Sequence, residues 1–301
     1  METTINYRPR RTMLYVPTHV ERYMDKARTL DADSIVFDFQ ESVPPEQKEI
    51  GRQLLRQKLS ESGDYQHSEV VVRVNSLESE WGDDDLKAIA DLSIDAIMLP
   101  RIESVEQLNK AINRIDELRD DTVAIMINIE SPLGVLHSEK ICGASDRVVA
   151  VVMGTTDLSN ELKINQTKDR LGLLTSLSLV ILAARAHKKC VIDGPHFDLK
   201  SVEDCEFSCR QARDLGFDGK AVVHPIQLDY TNDAFTPKQV DIARAKAIIE
   251  AIEQANKEGR NVAVIDGRLI EPSLREWAER VISLYNTVKA IGQNELLGVV
   301  R

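Results

Sequence analysis

Short runs of β-branched and apolar residues recur along this chain, each followed by an amphipathic stretch long enough to be a crossover helix. That alternation limits the fold more than any other feature. It predicts strands at Met13–Pro17, Ser34–Asp38, Val70–Asn75, Ala96–Leu99, Val123–Ile129, Val148–Gly154, Cys190–Asp193 and Gly219–Val223. Helices are predicted between them, among them Val20–Leu30, Glu46–Leu59, Val105–Leu118, Leu171–His187 and Val202–Leu215. Strands joined by such crossovers pair in parallel, and this many repeats point to an α/β fold of the (β/α)₈ TIM barrel type. A doubly wound open sheet is the alternative, because strand order is not written in one sequence. The pattern changes after the eighth strand, so residues 1–225 are expected to be the catalytic barrel and 226–301 an extension. The extension reads as a helix at Lys238–Lys257 entered through Thr236-Pro237, a strand at Val262–Ile265, a loop at Asp266-Gly267-Arg268 and a last helix at Ser273–Val288. It looks too small for a core of its own, so it is expected to form a C-terminal helical lid on the barrel or on a neighbouring subunit.

Composition excludes several classes of function. A formal charge of −11 over 301 residues argues against a nucleic-acid surface, which needs a basic stripe. No apolar run reaches the roughly 18 residues of a membrane span. The polar start, Met1 to Arg11, lacks the apolar core of a signal peptide. Cys142, Cys190, Cys205 and Cys209 match no zinc or redox spacing and are expected to be reduced thiols in a cytoplasmic protein. No GxGxxG follows the first strand, and neither a Walker sequence nor a Gly-x-Ser-x-Gly elbow occurs. Schiff-base chemistry would need a lysine on a barrel strand, whereas the strand ends carry arginine or acid.

The chemistry is written at those strand ends. In parallel α/β folds the C-terminal ends of the strands form the floor of the active site. The runs Ile127-Asn-Ile-Glu-Ser-Pro-Leu-Gly134 and Val151-Val-Met-Gly-Thr-Thr-Asp-Leu158 each end in an acid, Glu130 and Asp157. Carboxylates ending adjacent strands can hold one hard divalent cation, Mg²⁺ or Mn²⁺, completed by water and substrate oxygens. The plainer alternative is that one carboxylate caps the next helix and the other is solvated. The same face collects Pro17, Asp38, Glu41, Arg73, Asn75, Pro100, Arg101, Asp193, His224 and Pro225. Arg73 sits inside Val70-Val-Val-Arg-Val-Asn75, where a guanidinium is desolvated unless it faces a fixed anion or a bound carboxylate, so a substrate-binding role is expected. His224 reads as a hydrogen-bonding wall residue and Asp193-Gly194 as a tight turn with Gly at positive φ.

With these residues assembled, the chain resembles the citrate lyase β-subunit-like branch of the HpcH/HpaI aldolase family. The resemblance runs through ordered blocks from Arg11 to about Ala290: Arg11–Pro17, Phe37–Val43, Val72–Asn75 with Trp81-Gly82, Met98–Ser104, Ile129–Gly134, Gly154–Leu158, Gly216–Lys220, His224–Gln227 and Asp266–Glu271. It implies Mg²⁺ held by Glu130 and Asp157, with Arg73 and Glu130 contacting substrate. It marks Arg73, Asp38, Glu41 and Glu271 as catalytic, Glu271 standing where the family places a lid aspartate for proton transfer. Arg22, Lys26, His224, Pro225 and Gln227 would border coenzyme A. A homo-oligomer, a trimer or hexamer, is implied, with no nucleic-acid or membrane partner. The chain departs from the family pattern at Gln40, Thr18, Val20, Thr156 and Glu271.

The expected activity is a Mg²⁺-dependent carbon–carbon lyase of the oxo-acid-lyase type. It would split a short 3-hydroxy dicarboxylic acyl-CoA, such as malyl-CoA or citramalyl-CoA, into acetyl-CoA and a 2-keto acid. The alternatives are a malyl-CoA-type thioesterase, a citryl-thioester lyase subunit, and a non-catalytic homologue that binds acyl thioester.

Overall fold

The βα alternation closes on itself. The strands β1 (Thr12–Pro17), β2 (Ser34–Asp38), β3 (Glu69–Arg73), β4 (Ala96–Leu99), β5 (Ala124–Ile129), β6 (Val148–Met153), β7 (Cys190–Asp193) and β8 (Gly219–Val222) form a closed barrel in chain order. All neighbours are parallel, and β8 returns to β1 through Thr12↔Lys220, Met13↔Ala221 and Leu14↔Val222. That last pairing rules out the open sheet and leaves no barrel edge exposed. The structure, a computed structural model, describes residues 8–60, 65, 68–260, 262–265, 267–271 and 273–297.

Helices α1 (Glu21–Ala27), α2 (Lys48–Ser60), α3 (Gly82–Ala88), α4 (Val105–Leu118), α5 (Pro132–Gly143), α6 (Thr155–Leu162), α7 (Leu174–Ala186) and α8 (Val202–Leu215) fill the crossovers, and α9 (Leu228–Phe235) follows β8. Side chains alternate across each strand, so one set fills the barrel and the other meets the helices. Met13, Val36, Val71, Met98, Met126 and Val152 occupy the interior. Leu14, Phe37, Val72, Ile97, Ile127 and Val151 pack in the outer layer beneath the helices. The middle of the interior is therefore a packed apolar core, with Ser34 and Arg10 both bonded to Glu69 at its N-terminal end and the strand-end charges at its C-terminal mouth.

The strand and helix expectations hold with shifts at the ends. β3 stops at Arg73 rather than Asn75, because the Asn75 N–H and its side-chain amide both donate to Asp85, at 2.8 and 2.6 Å. Gly194 does not adopt positive φ. Its missing side chain matters for close approach instead, since a Cβ there would lie 2.3 Å from Thr155 Oγ1.

The chain divides into two compact units after Phe235, with α9 in the barrel unit, whereas the sequence reading places the break at 225. Contacts of α9 with α8, β1 and β8 explain the difference. The C-terminal unit contains α10 (Gln239–Lys257), the strands β9 (Ala263–Ile265) and β10 (Arg268–Ile270), and α11 (Leu274–Leu297). Contrary to expectation it has a small core of its own, in which Ala245, Ile248, Ile252, Ala255, Ala263 and Ala278 are buried. Of the expected loop, Asp266 lies outside the described residues, Gly267 has φ +74°, and Arg268 pairs opposite Ile265 as the first residue of β10.

Candidate active site

Arg73 ends β3 and Asp38 ends β2, and the two strands pair with Asp38 opposite Arg73. The guanidinium donates in parallel to the carboxylate, Nε to Oδ1 and Nη2 to Oδ2, both at 2.7 Å. Asp38 also accepts from the Gln40 N–H at 2.9 Å, the Ser42 N–H at 3.2 Å and the Ser42 hydroxyl at 2.5 Å. Each carboxylate oxygen thus receives two or more donors, which leaves little capacity for further bonds. Burial alone would raise the Asp38 carboxyl. The Arg73 charge and fork, with Ser42 and Gln40, outweigh that and hold it below the usual range. The Tyr15 ring lies 4.8 Å from the guanidinium centre, within cation–π range. The fixed anion that Arg73 requires is therefore part of the protein. Asp38, expected as catalytic, is placed to orient Arg73.

Behind this pair the two loops are tied together. The buried Lys48 ammonium, from α2, donates to the Phe39 and Gln40 carbonyls at 2.6 and 2.7 Å and to Asn75 Oδ1 at 3.0 Å. Asn75 is in turn held by Asp85, which pairs with Arg52 at 2.9 Å. Lys48 was not singled out from sequence, and its only signal there is a lysine at the start of an amphipathic helix.

Across the mouth the acids are arranged differently. Glu130 follows the last residue of β5, and Ser131 caps α5 by accepting from the Gly134 N–H at 3.1 Å. The capping alternative therefore does not apply to Glu130. Its carboxylate lies against the end of β6, where a Cβ on Gly154 would sit 2.2 Å from Glu130 Cβ and 2.5 Å from Oε2. Only glycine leaves that space. Asp157 lies in the first turn of α6, past the strand end at which the sequence reading placed it. Burial, then repulsion from Asp157 and Glu41, pushes the Glu130 carboxyl up to about 7 despite the opposing charge of Arg73. Glu41 stands exposed at the mouth, its carboxyl raised by desolvation and by Asp157 and Asp38.

This donor set fits a divalent cation. The charge of Asp157 helps raise the carboxyls of both Glu130 and Glu41, which a cation between them would reverse. Among the described residues no cluster of at least three His, Cys, Asp or Glu groups converges at ligand distance. Glu130 and Asp157 would thus supply the protein ligands, and water and substrate the rest, as Mg²⁺ commonly accepts.

The remaining expected positions are spread around the barrel. Arg22 and Lys26 are exposed on α1, with Arg22 5.0 Å from the Tyr23 ring. His224 is exposed and accepts the Ile226 N–H on Nδ1 at 3.2 Å, as the wall reading anticipated, and Pro225 beside it is exposed. Gln227 is buried, donating to the His196 carbonyl at 2.6 Å and accepting from the Val223 N–H at 3.2 Å, so its amide shapes the loop. Arg101 is exposed, with left-handed φ of 47°, and pairs with Glu161 and Glu103. Asp193 is not in the mouth cluster. It is buried in the outer layer, bound by Lys220 at 2.5 Å and by Arg170 at 2.7 Å. Lys220 corrects a second expectation, since it is a buried lysine on β8, but it shares the outward face with Val222 and also donates to the Gly194 carbonyl at 2.7 Å. Glu271 is exposed in the C-terminal unit, after β10, and its carbonyl accepts the Leu274 N–H at 3.0 Å.

Residues 11–225 match the family model described as HpcH/HpaI aldolase/citrate lyase. The chain belongs to this family. A (3S)-malyl-CoA thioesterase of Cereibacter sphaeroides is 37% identical over 94% of this chain and 97% of its own length. A citrate lyase subunit beta of Leuconostoc mesenteroides subsp. cremoris is 31% identical over 93% and 95%. Among solved structures, protein CitE from Mycobacterium tuberculosis, in complex with magnesium and acetoacetate, is 26% identical with a TM-score of 0.65, covering 76% of this chain and 91% of that one. Family membership agrees with the closed barrel and with the resemblance read from the ordered blocks. Among the described residues no helix is long and apolar enough to cross a membrane.

Proposed function

We propose that this barrel is a Mg²⁺-dependent lyase that cleaves a short 3-hydroxy dicarboxylic acyl-CoA of the malyl-CoA type into an acyl-CoA and a 2-keto acid. The observation that carries the reading is the facing arrangement at the mouth: a carboxylate pair at Glu130 and Asp157 opposite an arginine whose fork is already fixed by Asp38. The magnesium complex of the CitE structure supports the choice of cation.

Glu130 and Asp157 would hold the cation, which when bound polarises the hydroxyl and carboxylate oxygens of the substrate. Arg73 keeps Nη1 for the ligand, because Asp38 takes Nε and Nη2. Held in place before substrate arrives, it costs no reorganisation when negative charge develops on the thioester oxygen. Glu41, which makes no hydrogen bond among the described residues, takes the hydroxyl proton. The electron pair left on the hydroxyl oxygen forms the second C–O bond of the keto group, and the adjacent C–C bond breaks with its pair passing to the thioester enolate. By the family resemblance, Glu271 of a neighbouring copy of the chain, in its protonated form, supplies the proton that converts the enolate carbon to the acyl-CoA methyl group. Arg22 and Lys26 offer exposed cations to the phosphates of CoA.

A second reading is thioester hydrolysis, in which water attacks the thioester carbonyl and CoA leaves as the thiol. The 37% identity to a malyl-CoA thioesterase favours it. The protein incubated with Mg²⁺ and malyl-, citramalyl- or methylmalyl-CoA separates the two. Acetyl- or propionyl-CoA with a keto acid marks the lyase, and free CoA with the hydroxy acid marks the thioesterase. Recovery of every thioester unchanged would overturn both.

A further inference from the structure

The inward row of β5 runs Ala124, Met126, Asn128 and, just past the strand, Glu130. Met126 lies in the barrel interior with Ala124 packed against that cluster, and Val152, directly opposite Asn128 on β6, lies there too. Asn128 is therefore a polar side chain in an apolar layer, immediately beneath the carboxylate of the mouth, and only 2% of it is exposed. Its backbone is settled, since its carbonyl accepts the Ile102 N–H at 3.1 Å. Its side chain is not. Nδ2 faces Glu130 Oε2 at 3.5 Å, the orientation that a carboxylate demands, and this leaves Oδ1 buried with no donor. A buried unsatisfied acceptor is rare enough in folded proteins to need an explanation. An aliphatic residue would fill an apolar layer without that penalty.

We propose that Asn128 is a specificity-determining residue, whose Oδ1 accepts a hydrogen bond from an O–H donor brought to Glu130. The inference rests on the reading of Glu130 and Asp157 as a cation and hydroxy-acid site. Two donors share this chemistry: the hydroxyl of the ligand itself, and a water on the cation. An arginine or lysine from the protein does not fill the role, because Arg73 is turned to Asp38 and Lys48 to the loop carbonyls. Pairing a ligand hydroxyl with an otherwise unsatisfied group is what makes a site reject the analogue lacking that hydroxyl.

The test compares wild type with Asn128→Leu, which keeps the volume without the acceptor, and with Asn128→Ala, which guards against misfolding by overpacking. Thermal melts confirm folding. Mn²⁺ affinity is read by electron paramagnetic resonance without ligand, and malate and succinate, which differ by one hydroxyl, are titrated in the presence of Mg²⁺. The expected result is a wild-type preference for malate of roughly tenfold or more, lost in both variants. Loss of preference at unchanged Mn²⁺ affinity assigns the donor to the ligand, and weaker Mn²⁺ binding by the ligand-free variants assigns it to a water on the cation. Variants that keep both the preference and the Mn²⁺ affinity overturn the role of Asn128 alone. Wild-type protein that binds neither Mn²⁺ nor malate overturns the underlying site reading.

Discussion

The two sides of the barrel mouth carry similar charges but treat them in opposite ways. On the β2–β3 side, Arg73, Asp38, Lys48, Asn75 and Asp85 are all partnered, and the donors of Lys48 are spent on three oxygens. On the β5–β6 side, Glu130, Asp157 and Glu41 repel one another, and Asn128 keeps an acceptor without a donor. The saturated cluster is rigid and, apart from Nη1 of Arg73, has nothing to offer but geometry. An unsatisfied one is unstable alone and gains from whatever neutralises it. The difference supports the reading of the first side as the frame that aims Arg73 and of the second as the proposed site for cation and substrate oxygens.

Removing a carboxylate from the open side gives the largest expected effect. Asp157→Asn should lower turnover on the order of a thousandfold, about 4 kcal/mol of transition-state stabilisation, with little change in thermal stability. Activity retained by this variant after chelator treatment would dissolve the contrast between the two sides. On the saturated side the damage should appear in the fold. Asp38→Asn leaves the buried Arg73 charge without its partner and should cost about 3 kcal/mol in urea denaturation.

The third expectation concerns the penalty of the open side itself. The Glu130 carboxyl is raised from 4.5 to about 7 in the folded, metal-free protein. Folding therefore favours its protonated form, and the stability this contributes is present below pH 4.5 and lost as pH rises through 7. Glu130→Gln should consequently be more stable than wild type at pH 8 in chelator, by about 3 kcal/mol, with the gain shrinking toward pH 4. Melting both proteins across that range checks it, and a gain independent of pH would count against the repulsion. Arg73→Lys keeps the charge and loses the fork, so kcat/KM should fall about tenfold, about 1.4 kcal/mol. The smallest effect belongs outside both sides. The double variant Arg22→Ala, Lys26→Ala should raise KM for the acyl-CoA by roughly fivefold, about 1 kcal/mol, at unchanged kcat, because exposed ion pairs are weak.

Much of this was legible in the residues. The β-branched runs locate all eight barrel strands to within a residue or two, because strands buried on both faces must be apolar along their whole length. Glu130, Asp157 and Arg73 stand out for the converse reason, as charges beside apolar runs. Less legible was anything that depends on which face a residue takes. Asp193 looks like a mouth residue by position, yet the one-residue alternation turns it outward into a buried ion pair with Lys220. Asn128 escaped notice inside an apolar run, although its spacing of two from Glu130 places both on the inward row.

The sequence by itself determined the strand count, the parallel βα alternation and the strand-end positions of Glu130 and Arg73, since these follow from periodicity and from the cost of burying charge. Only the tertiary structure decided that Arg73 is already satisfied by Asp38, that Gly154 makes room for Glu130, and that the C-terminal unit has its own core. Those facts depend on distances between residues far apart in the chain. Pairing of β2 with β3 and of β5 with β6 sets the first two and packing of α10 on α11 the third, and no local pattern of side chains records them.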